Sequence, residues 1–166
     1  MLDGALQFTG TACSAAAMFD TPTTGTQQST NVLDLVNARD LGIGDDPSLE
    51  LLIQILVTFT GGTSLQVQLQ GAPDSGTGTP GTYVTMWDST AIAEAALLAG
   101  RYVSNITVPR VLLPLPSGVS AAMALPRFLR LQYVTVGTHT AGTLMGFIVL
   151  DRQDYVVYPP GIVIAN

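Results

Sequence analysis

Leu49-Glu-Leu-Leu-Ile-Gln-Ile-Leu-Val-Thr-Phe-Thr-Gly-Gly-Thr-Ser-Leu-Gln-Val-Gln-Leu-Gln70 carries the clearest pattern in the chain, and the architecture follows from it. In its second half Leu65, Val67 and Leu69 alternate strictly with Gln66, Gln68 and Gln70. A period of two puts the apolar side chains on one face of a strand and the amides on the other. The first half alternates less cleanly: Leu51, Ile53, Ile55, Val57 and Phe59 face one way, but Leu52 and Leu56 fall among the polar residues opposite. Between the halves stands Gly61-Gly62, a pair able to take the positive φ angles of a tight turn. The stretch therefore reads as an antiparallel hairpin, with a long central strand, a turn and a half-exposed partner. Its apolar face requires a second layer.

Outward from there, Val, Ile, Leu and Thr recur in short runs separated by Gly, Pro and Thr. Strand candidates are Ala5–Phe8, Asn31–Leu35, Tyr83–Trp87, Arg101–Val108, Val111–Pro116 (an edge, given its prolines), Phe128–Val136 and Leu144–Leu150. The last is apolar on both faces, which marks a central strand. Residues 9–30 read as a surface arm, 71–82 as a mobile loop, 117–126 as a small-residue loop and Gly137–Thr143 as a turn. Ser89–Ala99 is the one helix-like segment, with alanines inside, Ser89 or Thr90 to cap it and Gly100 to end it. About eight short strands and one short helix predict an all-β protein, a jelly-roll-like antiparallel β-sandwich. Residues 1–154 form one domain in this reading, followed by an apolar tail, 155–166.

Composition narrows the function. Apolar residues make up 47% of the 166, which argues against disorder. Charged residues make up only 11%, against about 25% in ordinary domains. All six cations are arginine, and with 12 acids the net charge is −6. Such a chain lacks the cationic stripe that neutralises nucleic-acid phosphates. No apolar run approaches the roughly 20 residues that span a bilayer, so no membrane role is expected. The N-terminus has no basic region before an apolar core, so no secretory leader is expected. Lysines commonly guard sheet edges; a β protein without them needs its edges covered, and association with other subunits is one way.

No catalytic apparatus assembles itself from the sequence. His139, the only histidine, reads as a solvated turn residue, and no Gly-x-Ser-x-Gly elbow presents a nucleophile. One histidine and one cysteine, Cys13, do not make a zinc site; Cys13 reads as a small semi-buried residue. Asp40, Asp45 and Asp46 read as turn-stabilising carboxylates rather than calcium ligands. Gly42-x-Gly44 and Gly76-x-Gly78 are too short for a dinucleotide fingerprint. Trp87, Tyr83 and Tyr102 sit on strand candidates, where core packing outranks sugar stacking. The expectation is a non-enzyme without cofactor or metal.

The tail is the best functional feature of the sequence. Tyr155, Val156, Val157, Tyr158, Ile162, Val163 and Ile164 are too apolar to hang in water. Either they add a last strand to their own sandwich or they pack across a subunit or partner boundary. Pro159-Pro160 stiffens the segment, which lowers the cost of docking it.

Four segments in order, Ser29–Asp46, Leu112–Gly118, Arg127–Tyr133 and Gly142–Asp154, resemble the capsid cement proteins (head decoration or stabilising proteins) of tailed bacteriophages. The resemblance covers roughly residues 29–158 and rests on short recurring patterns rather than on a catalytic motif. It implies a jelly-roll-like sandwich that associates in threes and sits on the outside of the icosahedral head, bridging subunits of the major capsid protein. It also implies family variation in length at 11–28 and 71–82. The alternative that the residues leave open is a carbohydrate- or cell-surface-binding sandwich of the fibre or lectin kind.

Overall fold

The computed structural model describes residues 6–11, 17–36, 49–108 and 126–150. Cys13, the acidic turn at 40–46, the prolines of 111–116, the loop at 117–125 and the tail lie outside these residues. The described chain is an all-β antiparallel sandwich. Its strands are β1 (Thr24–Gln28), β2 (Leu33–Asp34), β3 (Leu49–Ala72), β4 (Val84–Asp88), β5 (Ile92–Ala93), β6 (Tyr102–Thr107) and β7 (Phe128–Leu150). The helix-like segment contributes β5 and a single 3-10 turn, Glu94–Ala96. Alanine propensity yields here to sheet pairing, because Ile92 and Ala93 are held opposite Leu65 and Ser64.

The expected hairpin does not form. β3 is one strand of 24 residues that runs through Gly61-Gly62, and its partner is the equally continuous β7 of 23 residues. The two pair antiparallel from Leu49↔Leu150 to Ala72↔Phe128, with register shifts confined to Ile55–Ser64. The physical reason lies in the glycines. A two-residue type I′ turn needs positive φ at both central positions, but only Gly61 of the pair adopts it (φ 88°). One such residue makes a bulge, which bends a strand instead of reversing it. The expected turn at 137–143 is likewise a bend within β7, opposite the first one: Gly62 faces Gly137 and Thr60 faces Ala141.

These facing bends fold one sheet into two layers. In the first, β6 flanks the 49–55 half of β3, and Gln7 and Asp20 bridge to Phe147 and Leu144 of β7. In the second, β4 and β5 flank the far half of β3, while β1 and β2 flank the near half of β7. The layers meet closely: a Cβ on Gly146 would lie 2.6 Å from Leu131 Cδ1, a residue of the other half of the same strand. Between them lies the main core, which includes Phe8, Leu51, Ile53, Ile55, Phe59, Leu65, Val67, Leu69, Leu131, Tyr133, Leu144 and Ile148. The alternation is realised at 65–69, with Leu65, Val67 and Leu69 fully buried, but Gln70 on the polar face is buried too, where its Oε1 accepts from Arg130 Nε. From Leu144 to Val149, β7 is buried on both faces, as the pattern of this segment predicted. Leu144 and Ile148 point into the main core, and Phe147 and Val149 form a second cluster with Leu52.

Two aromatic side chains lock the bends. A Cβ on Gly62 would lie 2.3 Å from the His139 ring, and one on Gly142 would lie 2.3 Å from the Phe59 ring. The two rings meet edge to face, with centroids 5.2 Å apart. His139 is therefore a buried spacer and not a solvated turn residue; it is 2% exposed. Its Nε2 lies 3.3 Å from the Ser64 carbonyl oxygen.

Candidate functional site

The stretch expected to be an arm does more than connect. Its last part is β1, which pairs with β7 from Thr24↔Thr138 to Gln28↔Gln132. β1 lies on the edge of β7 away from β3, and a Thr-rich segment suits an exposed pleated edge. Ahead of β1 stands Asp20. Its backbone joins the first layer, with Asp20 N–H donating to the Leu144 carbonyl (2.9 Å) and Leu144 N–H donating back (3.1 Å). Its side chain reaches the second layer, where Tyr133 Oη donates to Oδ2 at 2.8 Å. Gly10 N–H donates to Oδ1 at 2.8 Å, and Thr30 donates through Oγ1 to Oδ1 (2.5 Å) and through its N–H to Oδ2 (3.1 Å). A carboxylate offers about four acceptor positions, and four neutral donors fill them. Asp20 is 8% exposed.

Above this node, at the seam of the layers, a cleft of about 160 Å³ opens between Asp20, Thr21, Pro22, Gln27, Gln28, Thr30 and Tyr133. Burial, then the Asp20 charge, then the hydrogen bond to it all push the Tyr133 phenol well above its ordinary range. The phenol is thus held neutral, as a donor must be. Neither Asp20 nor Tyr133 was distinguishable in the sequence: Asp20 looks like any polar residue before Thr21-Pro22, and Tyr133 like any position of an alternating strand.

A second polar assembly organises the loop after β3. Arg127 donates in a fork to Asp34 (Nε to Oδ1 2.8 Å, Nη2 to Oδ2 2.9 Å) and through Nη1 to Asp74 Oδ2. Asp74 Oδ1 in turn accepts from the N–H groups of Gly76 (2.9 Å) and Gly78 (3.0 Å). The Ser75, Thr77 and Thr79 hydroxyls close on one another at 2.7–3.1 Å. The stretch expected to be a mobile loop is thus held by an internal hydrogen-bond network. The Arg127 hydrogen bond holds the Asp34 carboxyl below its usual value, and the Gly76 N–H followed by other donors does so for Asp74.

The aromatic candidates divide. Trp87 packs against the main core, and Tyr83 lies under the Arg130 guanidinium, 3.6 Å from ring centroid to Cζ. Tyr102 is 42% exposed. Apolar side chains at the bend also reach solvent: Leu56, Val57 and Leu98 are exposed. Leu98 is held beside the bend by Phe59 N–H donating to the Leu97 carbonyl and Ala99 N–H donating to Thr58 Oγ1. The tail residues Tyr155–Ile164, the sequence's own interface candidates, fall outside the described residues. Among the described residues no three His, Cys, Asp or Glu side chains converge as a metal site would require.

Residues 20–148 match the Bbp16 family model, from Asp20 to Ile148. The chain belongs to the Bbp16 family. The family name suggests a phage-related protein. The match spans both layers of the sandwich and all seven strands except the last two residues of β7. No curated protein matches the chain.

Proposed function

We propose that this Bbp16-family sandwich is a structural virion protein that binds the outside of a tailed-phage capsid and stabilises it by bridging major capsid protein subunits. The observation that carries the reading is the Bbp16 match over 20–148, within which most of the cement-like segments fall. The fold supports it, since a sheet folded onto itself by two long strands is a stiff block suited to bridging. The lysine-free, weakly charged surface and the apolar groups exposed at the bend suit contact with protein rather than with nucleic acid.

The mechanism is mechanical. A ligand that binds only the assembled, expanded shell shifts the equilibrium towards it. A trimer holding several subunits at once turns weak contacts into tight attachment. In this reading Tyr155, Val156, Val157, Tyr158, Ile162, Val163 and Ile164 form the subunit or capsid contact, and no catalysis or cofactor is involved.

The test is the solution mass of the full chain by light scattering, followed by co-sedimentation with expanded capsids, each repeated after deletion of 155–166. The reading expects a mass of three times 17.3 kDa and capsid binding, one or both lost in the deletion. A monomer that ignores capsids overturns it.

A further inference from the structure

The Asp20 node leaves one quantity unbalanced. Among the described residues its four donors are all neutral, so within them the carboxylate is satisfied in hydrogen bonds but not in charge. None of the three described arginines pairs with it. Arg127 is taken by Asp34 and Asp74, Arg130 by Gln70 and Tyr83, and Arg101 by the Ala96 carbonyl. A carboxylate this deeply buried is ordinarily paired. Here it forms the floor of an open cleft instead.

We propose that this cleft is a socket for a cationic side chain, lysine or arginine, projected by the protein surface on which the chain docks. The proposal rests on the reading that the chain docks on a protein, and it names the chemistry of one contact.

The rest of the lining fits. Thr21, Thr30, Gln27 and Gln28 line the mouth, residues whose hydroxyl and amide oxygens can accept from N–H groups, although Gln27 Oε1 already accepts from the Thr23 N–H. The buried Pro22 ring offers an apolar wall to the methylene stem that lysine and arginine both carry. A cleft of about 160 Å³ far exceeds the roughly 10–15 Å³ that a single water needs. That is room for a guanidinium or ammonium and the end of its stem, not for a folded segment. Anions meet the Asp20 charge and are refused. The protein as a whole carries −6 with no lysine, so long-range attraction favours the same sign of partner.

The test is a chemical-shift titration of the intact chain with Nα-acetyl-arginine amide and Nα-acetyl-lysine amide, against Nα-acetyl-glutamine amide and glucose. The cationic probes should shift the Thr21, Gln27, Gln28 and Thr30 amides saturably, weaken as salt rises, and bind about tenfold or more tightly than the neutral ones. Asp20→Asn should lose the binding, but it also disturbs four hydrogen bonds. Thr21→Lys is the cleaner variant: the residue is exposed, the fold is left alone, and a cation is supplied in place, so probe binding should vanish. Equal binding of a neutral probe, no saturable shift at all, or full affinity in Thr21→Lys overturns the socket. No capsid enters the experiment, so its failure is distinct from failure of the cement reading, which is decided by mass and co-sedimentation.

Discussion

Two glycine-rich stretches of this chain look alike on paper. Thr60-Gly-Gly-Thr-Ser64 and Asp74-Ser-Gly-Thr-Gly-Thr-Pro80 share composition, and each contains glycine at positive φ. The first is a bend inside a long strand, held by the His139 and Phe59 rings seated over glycines. The second projects from the end of β3 and is held by one carboxylate and one guanidinium. Composition sets what a backbone can do, while the surroundings choose among the options. The bend derives its shape from excluded volume, the loop from electrostatics, and the two should answer to different perturbations.

The largest effect should come at the bend. Gly62→Ala and Gly142→Ala drive a methyl into an aromatic ring, which should cost about 1–3 kcal/mol each, with Gly142→Ala the worse because its φ of 131° is also strained. Pairing Gly62→Ala with His139→Ala removes the obstacle, so denaturant midpoints should show the two changes compensating by at least about 0.5 kcal/mol. Strict additivity would mean that the ring does not shape the bend.

Next is Tyr133→Phe, which deletes a buried hydrogen bond to a charged acceptor and should cost about 1.5–3 kcal/mol at neutral pH; Gly142→Ala exceeds it because a strained φ adds about 1–3 kcal/mol to the clash with Phe59. The phenol also gives the sheet an alkaline sensitivity that the loop lacks. Its folded value is raised while the unfolded value is about 10, so the folded state holds its proton longer. This contribution is intact below about pH 10 and is lost as pH rises towards the folded value. Unfolding curves of Tyr133→Phe should be flatter in that range, and an unchanged alkaline slope would assign the sensitivity elsewhere.

Gly76→Ala tests the loop by the same substitution as at the bend. Nothing lies within 4 Å of a Cβ there, so only the positive φ resists, at about 1 kcal/mol. A cost as large as that of Gly142→Ala would erase the contrast.

The smallest effect on global stability belongs to Arg127→Ala, since its partners are exposed and salt screens them. Its signature is local: faster amide exchange at 74–80 and an Asp34 carboxyl that titrates closer to its ordinary value. Because Asp34 and Asp74 are both lowered in the folded state, their contribution is present above the ordinary carboxylate value of 3.8 and fades as pH falls through the folded values. Acid therefore releases the loop, whereas alkali strikes the sheet. An Asp34 titration identical in both proteins would remove Arg127 from the network.

Much of the architecture was legible. Alternation at Leu65–Gln70 located a strand and its apolar face, Phe128–Val136 was legible as a strand, and the doubly apolar 144–150 located a central one. Connectivity was not legible. Gly61-Gly62 satisfies a hairpin turn and a bulge equally well, and only the distant β7 decides between them. His139 was misread for the same reason: flanking Gly137 and Gly142 imply a turn until Phe59 and Gly62 are brought against it. Asp20 could not be found at all, because its donors are gathered from Gly10, Thr30 and Tyr133 by the folded sheet and from no local pattern.

The long ladder between β3 and β7 also sets an order of events at synthesis. Even its nearest partners in sequence, Ala72 and Phe128, are more than fifty residues apart, and Leu49 must wait for Leu150. Contacts this remote close slowly. Throughout translation of the middle of the chain, β3 can pair with β4, β5 and β6 but its other edge has no partner. Nascent chains that stop before β7 therefore carry an open, adhesive edge. The sheet closes late and all at once, when β7 arrives.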